Sequence, residues 1–121
     1  MTSDRNPKPD CIFCRIIAGQ APARIVYEDD RILAFEDVHP QAPVHILVIP
    51  KTHWTSLDAA PDEGQELLGL ILARARDIAR DKGLAAAGYR LVLNTGPNAG
   101  QAVPHLHFHI LAGRRMAWPP G

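Results

Sequence analysis

The sequence carries no excess of charge of either sign: Lys plus Arg is 13 and Asp plus Glu is 13 in 121 residues. That balance argues against nucleic acid as the main partner, because binding a phosphate backbone needs a basic footprint. A small phosphorylated ligand, held by backbone N–H groups and a few side chains, stays open. No apolar run is long enough to span a bilayer, so no membrane partner is expected. Residues 1–10 are polar, hold two prolines and lack an apolar h-region. No signal peptide is therefore expected, and a cytoplasmic location follows by default. Cysteine is scarce: Cys11 and Cys14 are the two in the chain, too close together for a disulfide to close a useful loop. A metal or redox role for the pair is left open. Hydrophobic residues make up 46% and charged residues 21%, which suits a globular chain and not a disordered one. The length allows one domain, expected over residues 11–121 behind a flexible arm at 1–10.

Local patterns predict the elements. Residues 12–18 read as a short helix closed by Gly19. Residues 24–28 and 31–36 flank Asp29-Asp30 and read as a hairpin. The stretch 37–43 holds two prolines and is a loop, and the near-continuous apolar run 44–49 suits a strand covered on both faces. Residues 61–82 predict the one long helix, with Pro61 at the first helical position and Gly83 beyond its end. Leu67, Leu68, Ile71, Leu72, Ala75, Ile78 and Ala79 form its apolar face. Strands are expected at 89–95 and 105–111, with a loop at 96–100 between them. The sum is an α+β fold: an antiparallel sheet of about five strands, one long covering helix and a short N-terminal helix.

Chemistry concentrates in the histidines. His105, His107 and His109 alternate with Leu106, Phe108 and Ile110, and on a strand that spacing puts three imidazoles on one face. Three readings compete. The row is incidental on a half-exposed strand, or binds a metal, or supplies a nucleophile oriented by its neighbours. Neutral imidazole is available near pH 7 and can attack phosphorus, after which water cleaves the intermediate. The glycine-bearing loop 96–102 just upstream could offer backbone N–H groups to the same phosphate. The pair Cys11-Ile12-Phe13-Cys14 supplies two thiolates, and a closed zinc site needs two more ligands. His53 and His105 are available for this, and a redox pair is the competing explanation.

The motif His105-Leu106-His107-Phe108-His109-Ile110-Leu111 resembles the core of the histidine triad (HIT) superfamily, and more closely its HINT-like branch of the bacterial zinc-containing type. The likeness extends through Tyr27-Glu28-Asp29-Asp30-Arg31, Ala34-Phe35-Glu36-Asp37, Pro40-Gln41-Ala42-Pro43-Val44-His45, Leu47-Val48-Ile49-Pro50-Lys51 and the tail Trp118-Pro119-Pro120-Gly121. It implies a HIT-like fold and a homodimer with one continuous sheet. It also implies a hydrolase that binds purine nucleotides and cleaves nucleoside phosphoramidates through a nucleotidyl-histidine. By motif position it implies His107 as nucleophile, His109 on the phosphate and His45 in the same cluster. Asp37 falls at the ribose-binding acid, and Asn94, Gly100 and Gln101 on the phosphate side. Ile32, Phe35 and Val38 fall where apolar side chains sandwich the base, and Trp118 where the tail reaches the partner subunit's site. Cys11, Cys14, His53 and His105 match the ligands of a structural zinc. Ala102 stands where the HINT branch commonly has a serine that contacts the phosphate or helps protonate the leaving nitrogen. The alternatives are a nucleotide-binding scaffold with weak turnover, a hydrolase of dinucleoside polyphosphates, and a zinc hydrolase using the histidine row as its metal site.

Overall fold

The side chain of Asp29 makes the first reversal of the chain. Its Oδ1 accepts the N–H groups of Arg31 and Ile32 at 2.8 and 2.9 Å, an Asx-type turn that stands in for backbone pairing. This turn joins β1 (Ile25–Glu28) to β2 (Ile32–Glu36), and β2 pairs in turn with β3 (Val44–Pro50). A crossover carrying the long helix α2 (Gln65–Asp81) leads to β4 (Tyr89–Leu93) and then β5 (Phe108–Ala112). All pairings are antiparallel, and β5 inserts between β3 and β4 to give the order β1-β2-β3-β5-β4. A short helix, α1 (Ile12–Ile17), precedes the sheet. The structure describes residues 7–121 in this computed structural model. The arm expected over 1–10 therefore lies outside the described residues up to position 6, and Lys8 is tied to the fold by its carbonyl, which accepts the Cys11 N–H at 3.1 Å.

Strands β2 and β3 are apolar at nearly every position because both faces are covered. Ile32, Ala34, Ile46, Val48 and Ile110 pack under α2 against Leu67, Ile71, Ala75, Ile78 and the Trp54 ring. Leu33, Phe35, Leu47 and Ile49 face the other way and are closed by α1 through Phe13 and Ile16. One sheet thus separates two apolar layers, and the chemistry lies on the α1 side.

Three expected bounds are corrected. The helix begins at Gln65, not Pro61, and a single tighter turn, Asp62–Gly64, precedes it with Pro61 just outside. Gly64 sits against the Trp54 ring there, and this contact fixes where the helix enters. Leu72 stays exposed on the flank of the apolar face. The strand expected over 105–111 begins at Phe108, because its pairing with β3 and with β4 ends there, at Val48 and Leu93. Residues 105–107 run on outside the ladder. The preceding strand ends at Leu93 for the same reason, two residues short of the expected bound.

A Cβ built on Gly64 would lie 2.6 and 2.8 Å from two Trp54 ring carbons, so the ring must shift to admit it. Gly64→Ala should lower stability by about 1–3 kcal/mol in urea unfolding with an unchanged slope. An unchanged midpoint would show that the Trp54 contact does not constrain the helix entry.

Candidate active and metal sites

Two imidazole clusters lie on the α1 side, joined through residues 105–107. The first holds Cys11, Cys14, His53 and His105, all buried. Cys11 caps α1, its Sγ accepting the Cys14 N–H at 3.4 Å. His105 Nδ1 lies 3.4 Å from Cys11 Sγ, 3.6 Å from Cys14 Sγ and 3.1 Å from His53 Nδ1. Cys14 Sγ lies 3.2 Å from His53 Nδ1. Zinc–sulfur bonds of 2.3 Å and zinc–nitrogen bonds of about 2.05 Å in a tetrahedron place donors roughly 3.3–3.8 Å apart. The observed spacings fall close to that range.

The protonation state agrees with this geometry. His105 Nε2–H donates to the Pro50 carbonyl at 2.9 Å, so the lone pair on Nδ1 faces the thiols. A ligating histidine characteristically gives its other N–H to such a carbonyl. Burial holds His105 down at about 4 and pushes the Cys14 thiol up to about 11. A catalytic redox pair needs an accessible, easily ionised thiol, which two buried cysteines do not offer. A bound cation would reverse the cost, because it favours the thiolate outright. The residues present fit a closed structural zinc site.

The second cluster holds His107, His109, His45 and Asp37, and backbone groups choose its tautomers. His107 Nδ1–H donates to the His105 carbonyl at 2.7 Å, which leaves the lone pair on Nε2. The Gln41 N–H donates to His45 Nδ1 at 3.0 Å, so a neutral His45 carries its proton on Nε2. That proton is donated to His109 Nδ1 at 2.8 Å. His109 in turn keeps its hydrogen on Nε2. The site therefore presents a bare nitrogen on His107 and an N–H on His109, in rings whose centroids are 5.0 Å apart.

Burial holds His107 and His45 below the ordinary value, and His109 down at about 4. Asp37, with Oδ2 3.4 Å from His45 Nε2, opposes that shift. For His109 the linkage sign follows directly. Its folded value lies below its unfolded 6.5, so stability present above pH 6.5 is lost as pH falls toward 4. Asp37, His45 and His109 also converge within metal-ligand distance. His45 needs its Nε2 proton to stay neutral, however, and a protonated nitrogen is no ligand. This cluster does not suit a catalytic metal.

The other expected site residues are placed unevenly. Phe35 faces the triad side, but Ile32 is completely buried under α2 on the opposite face. Neighbouring strand positions alternate, so Ile32 cannot share a base slot with Phe35, and that expectation is corrected. Val38 is exposed beside Asp37. Asn94 lines a groove with Arg90, Leu111 and Met116. Gly100 takes φ +83° at the end of the turn Pro97–Ala99. The Gln101 amide is committed to the protein: Oε1 accepts the Gly96 N–H, and Nε2 donates to the Thr55 and Val103 carbonyls. It sets the shape of the loop 96–103 and does not offer its amide outward. Trp118 is exposed at 82%.

One neighbour of the site was not expected. Phe13 stands edge-on to His107 and Phe35, at centroid distances of 5.2 and 5.4 Å. Its position between the two cysteines, on the buried side of α1, is the signal that could have found it.

Comparison with known proteins follows the same lines. Residues 18–116 match the model of the HIT domain. An uncharacterized HIT-like protein of Synechococcus elongatus is 58% identical over 112 residues, covering 93% of this chain and 97% of its own. A 14 kDa zinc-binding protein of Zea mays is 48% identical, covering 91% and 87%. Among solved structures, a HIT family hydrolase from Legionella pneumophila superposes with a TM-score of 0.90 at 50% identity, covering 93% of this chain and all of its own. No helix among the described residues is long and apolar enough to cross a membrane.

Titrated with Zn²⁺, the chain should take up one equivalent and melt at higher temperature, and chelation should reverse the gain. Cys14→Ser should lose that equivalent, measured by elemental analysis. Uptake unaffected by the substitution would refute the assignment of ligands.

Proposed function

The chain belongs to the HIT family, and from that premise we propose a nucleotide hydrolase of the HINT-like branch. It cleaves the P–N bond of purine nucleoside phosphoramidates through a nucleotidyl-histidine on His107. The observation that carries the reading is the pairing of tautomers: a bare Nε2 on His107 beside an N–H on His109.

The steps follow from that pairing. Substrate phosphorus comes to His107 Nε2 with a phosphate oxygen on His109 Nε2–H. The lone pair of His107 forms a P–N bond while the bond to the amine breaks, its electron pair leaving on nitrogen. The amine takes its proton from solvent, because Ala102 offers only a methyl where the branch commonly has a hydroxyl. His107 is then an imidazolium, and its Nδ1–H bond to the His105 carbonyl strengthens as the charge develops. Water attacks phosphorus, the P–Nε2 bond breaks, and a nucleoside monophosphate leaves.

Asp37 would take the ribose hydroxyls on Oδ2, since Oδ1 accepts the His39 N–H at 2.8 Å. Phe35 and the exposed Val38 would bound the base, with Phe13 added from its contact with Phe35. Asn94, Gly100 and Gln101 would shape the phosphate side. Cys11, Cys14, His53 and His105 would hold a zinc ion through four protein donors, and such an ion would supply rigidity and no open coordination site. In this reading residues 11–121 form one cytoplasmic domain. It acts as a homodimer, and Trp118 of one subunit reaches the site of the other.

Turnover of adenosine 5′-phosphoramidate, quenched in alkali and analysed by mass spectrometry, should show an adenylyl group on the peptide carrying His107. His107→Ala should lower kcat by about 10³-fold or more while AMP still binds. Equal rates in the two proteins would remove His107 as nucleophile.

A further inference from the structure

The tautomer of His109 is set from beyond the histidines. It depends on His45, and His45 depends on the Gln41 N–H. Gln41 lies in the loop between β2 and β3, where only specific contacts can hold a backbone N–H in line with a ring nitrogen. Two such contacts come from the end of β5. Gly113, at φ +93°, packs so closely on Pro43 that a Cβ there would lie 2.7 Å from the proline Cβ. The turn brings the next residue over the loop, and the Arg114 Nε and Nη2 donate together to the Gln41 carbonyl at 3.2 and 3.1 Å. A fork of two donors on one acceptor fixes orientation as well as distance. The Gln41 side chain adds a third tie, donating to the His39 carbonyl at 3.0 Å.

We propose that Arg114 is a positioning residue of this site: by clasping the Gln41 carbonyl it holds the N–H that keeps His45, and through it His109, in one tautomer. Which ring nitrogen of a histidine carries the proton is decided by the bond the other makes. Without the clasp the Gln41 N–H leaves His45 Nδ1, which is then free to take the proton. His45 Nε2 becomes an acceptor, His109 turns its proton inward to Nδ1, and its Nε2 meets the substrate as a lone pair. A phosphate oxygen would then face a lone pair where it had faced a donor. The Arg114 guanidinium bonds to backbone carbonyls, those of Gln41 and Arg115, so its effect passes through the loop backbone. The catalytic part of the inference rests on the proposed phosphoryl chemistry; the tautomer part stands without it.

Long-range ¹H–¹⁵N spectra of the full chain report the tautomers of His45 and His109 directly. Wild type should show His109 protonated on Nε2 alone, and Arg114→Met a mixture of both forms. With adenosine 5′-phosphoramidate, Arg114→Met should lower kcat about 10–100-fold. KM should stay within about threefold, since uniform binding is kept. Arg114→Lys, which keeps the charge and one donor, should fall between the two, and carries the test if the methionine variant does not fold. Arg115→Met controls for loss of surface charge and should match wild type. Unchanged ring ¹⁵N shifts in the Arg114 variants would overturn the proposal, whatever the rates do. Shifted tautomers in a protein whose wild type turns over no phosphoramidate would uphold the positioning and count against the hydrolase reading.

Discussion

The hydrogen bond from His107 Nδ1–H to the carbonyl of His105, 2.7 Å long, is the contact on which the site depends. It exists because residues 105–107 leave the sheet. Inside a central strand, backbone groups on both edges are consumed by the ladder. Here pairing stops at Phe108 on both sides, so the His105 carbonyl is available to a side chain two residues on. The segment is held instead by irregular bonds: the Leu106 N–H donates to the Trp54 carbonyl at 2.7 Å, and the His105 ring to the Pro50 carbonyl. The His105 and His107 rings each give one N–H to a backbone carbonyl, and those partners fix which nitrogen of each imidazole is bare.

The two clusters are mechanically one. His105 contributes its ring to the thiol cluster and its carbonyl to His107. Phe13 is flanked in sequence by Cys11 and Cys14 and stands against both His105 and His107. A metal on the four ligands would therefore join α1, the segment carrying His53 and the segment before β5 at one point. That constraint acts on the surroundings of His107 without touching its ring Nε2. Burying the two imidazoles of His53 and His105 beside two thiols is costly unless each is neutral, hydrogen-bonded or metal-bound.

Much of this was legible in the sequence. The alternation of His105, His107 and His109 with apolar residues gives the sidedness correctly: Leu106 and Ile110 pack under α2, and the histidines face away. The four ligand positions converge as the pair Cys11 and Cys14 and the placement of His53 and His105 suggest. What alternation cannot give is where a ladder stops, because that depends on how far partner strands run. It therefore placed His105 and His107 in a strand they do not join. Ile32 was misplaced for a related reason: motif position says nothing about which face of β2 a side chain takes. Gln101 was placed by motif, yet its amide is consumed by Gly96 and Val103 within the loop and by Thr55, 46 residues away, bonds that a motif position does not report. Phe13 was missed because its role arises from packing of α1 on the sheet.

The chemistry open to His107 turns on where one hydrogen sits. Neutron diffraction from crystals of the deuterium-exchanged protein near pH 7 locates it directly. The structure requires deuterium on Nδ1 of His107, aimed at the His105 carbonyl, and none on Nε2. Deuterium on Nε2 with a bare Nδ1 would contradict it, since Nε2 would then have no electron pair to give.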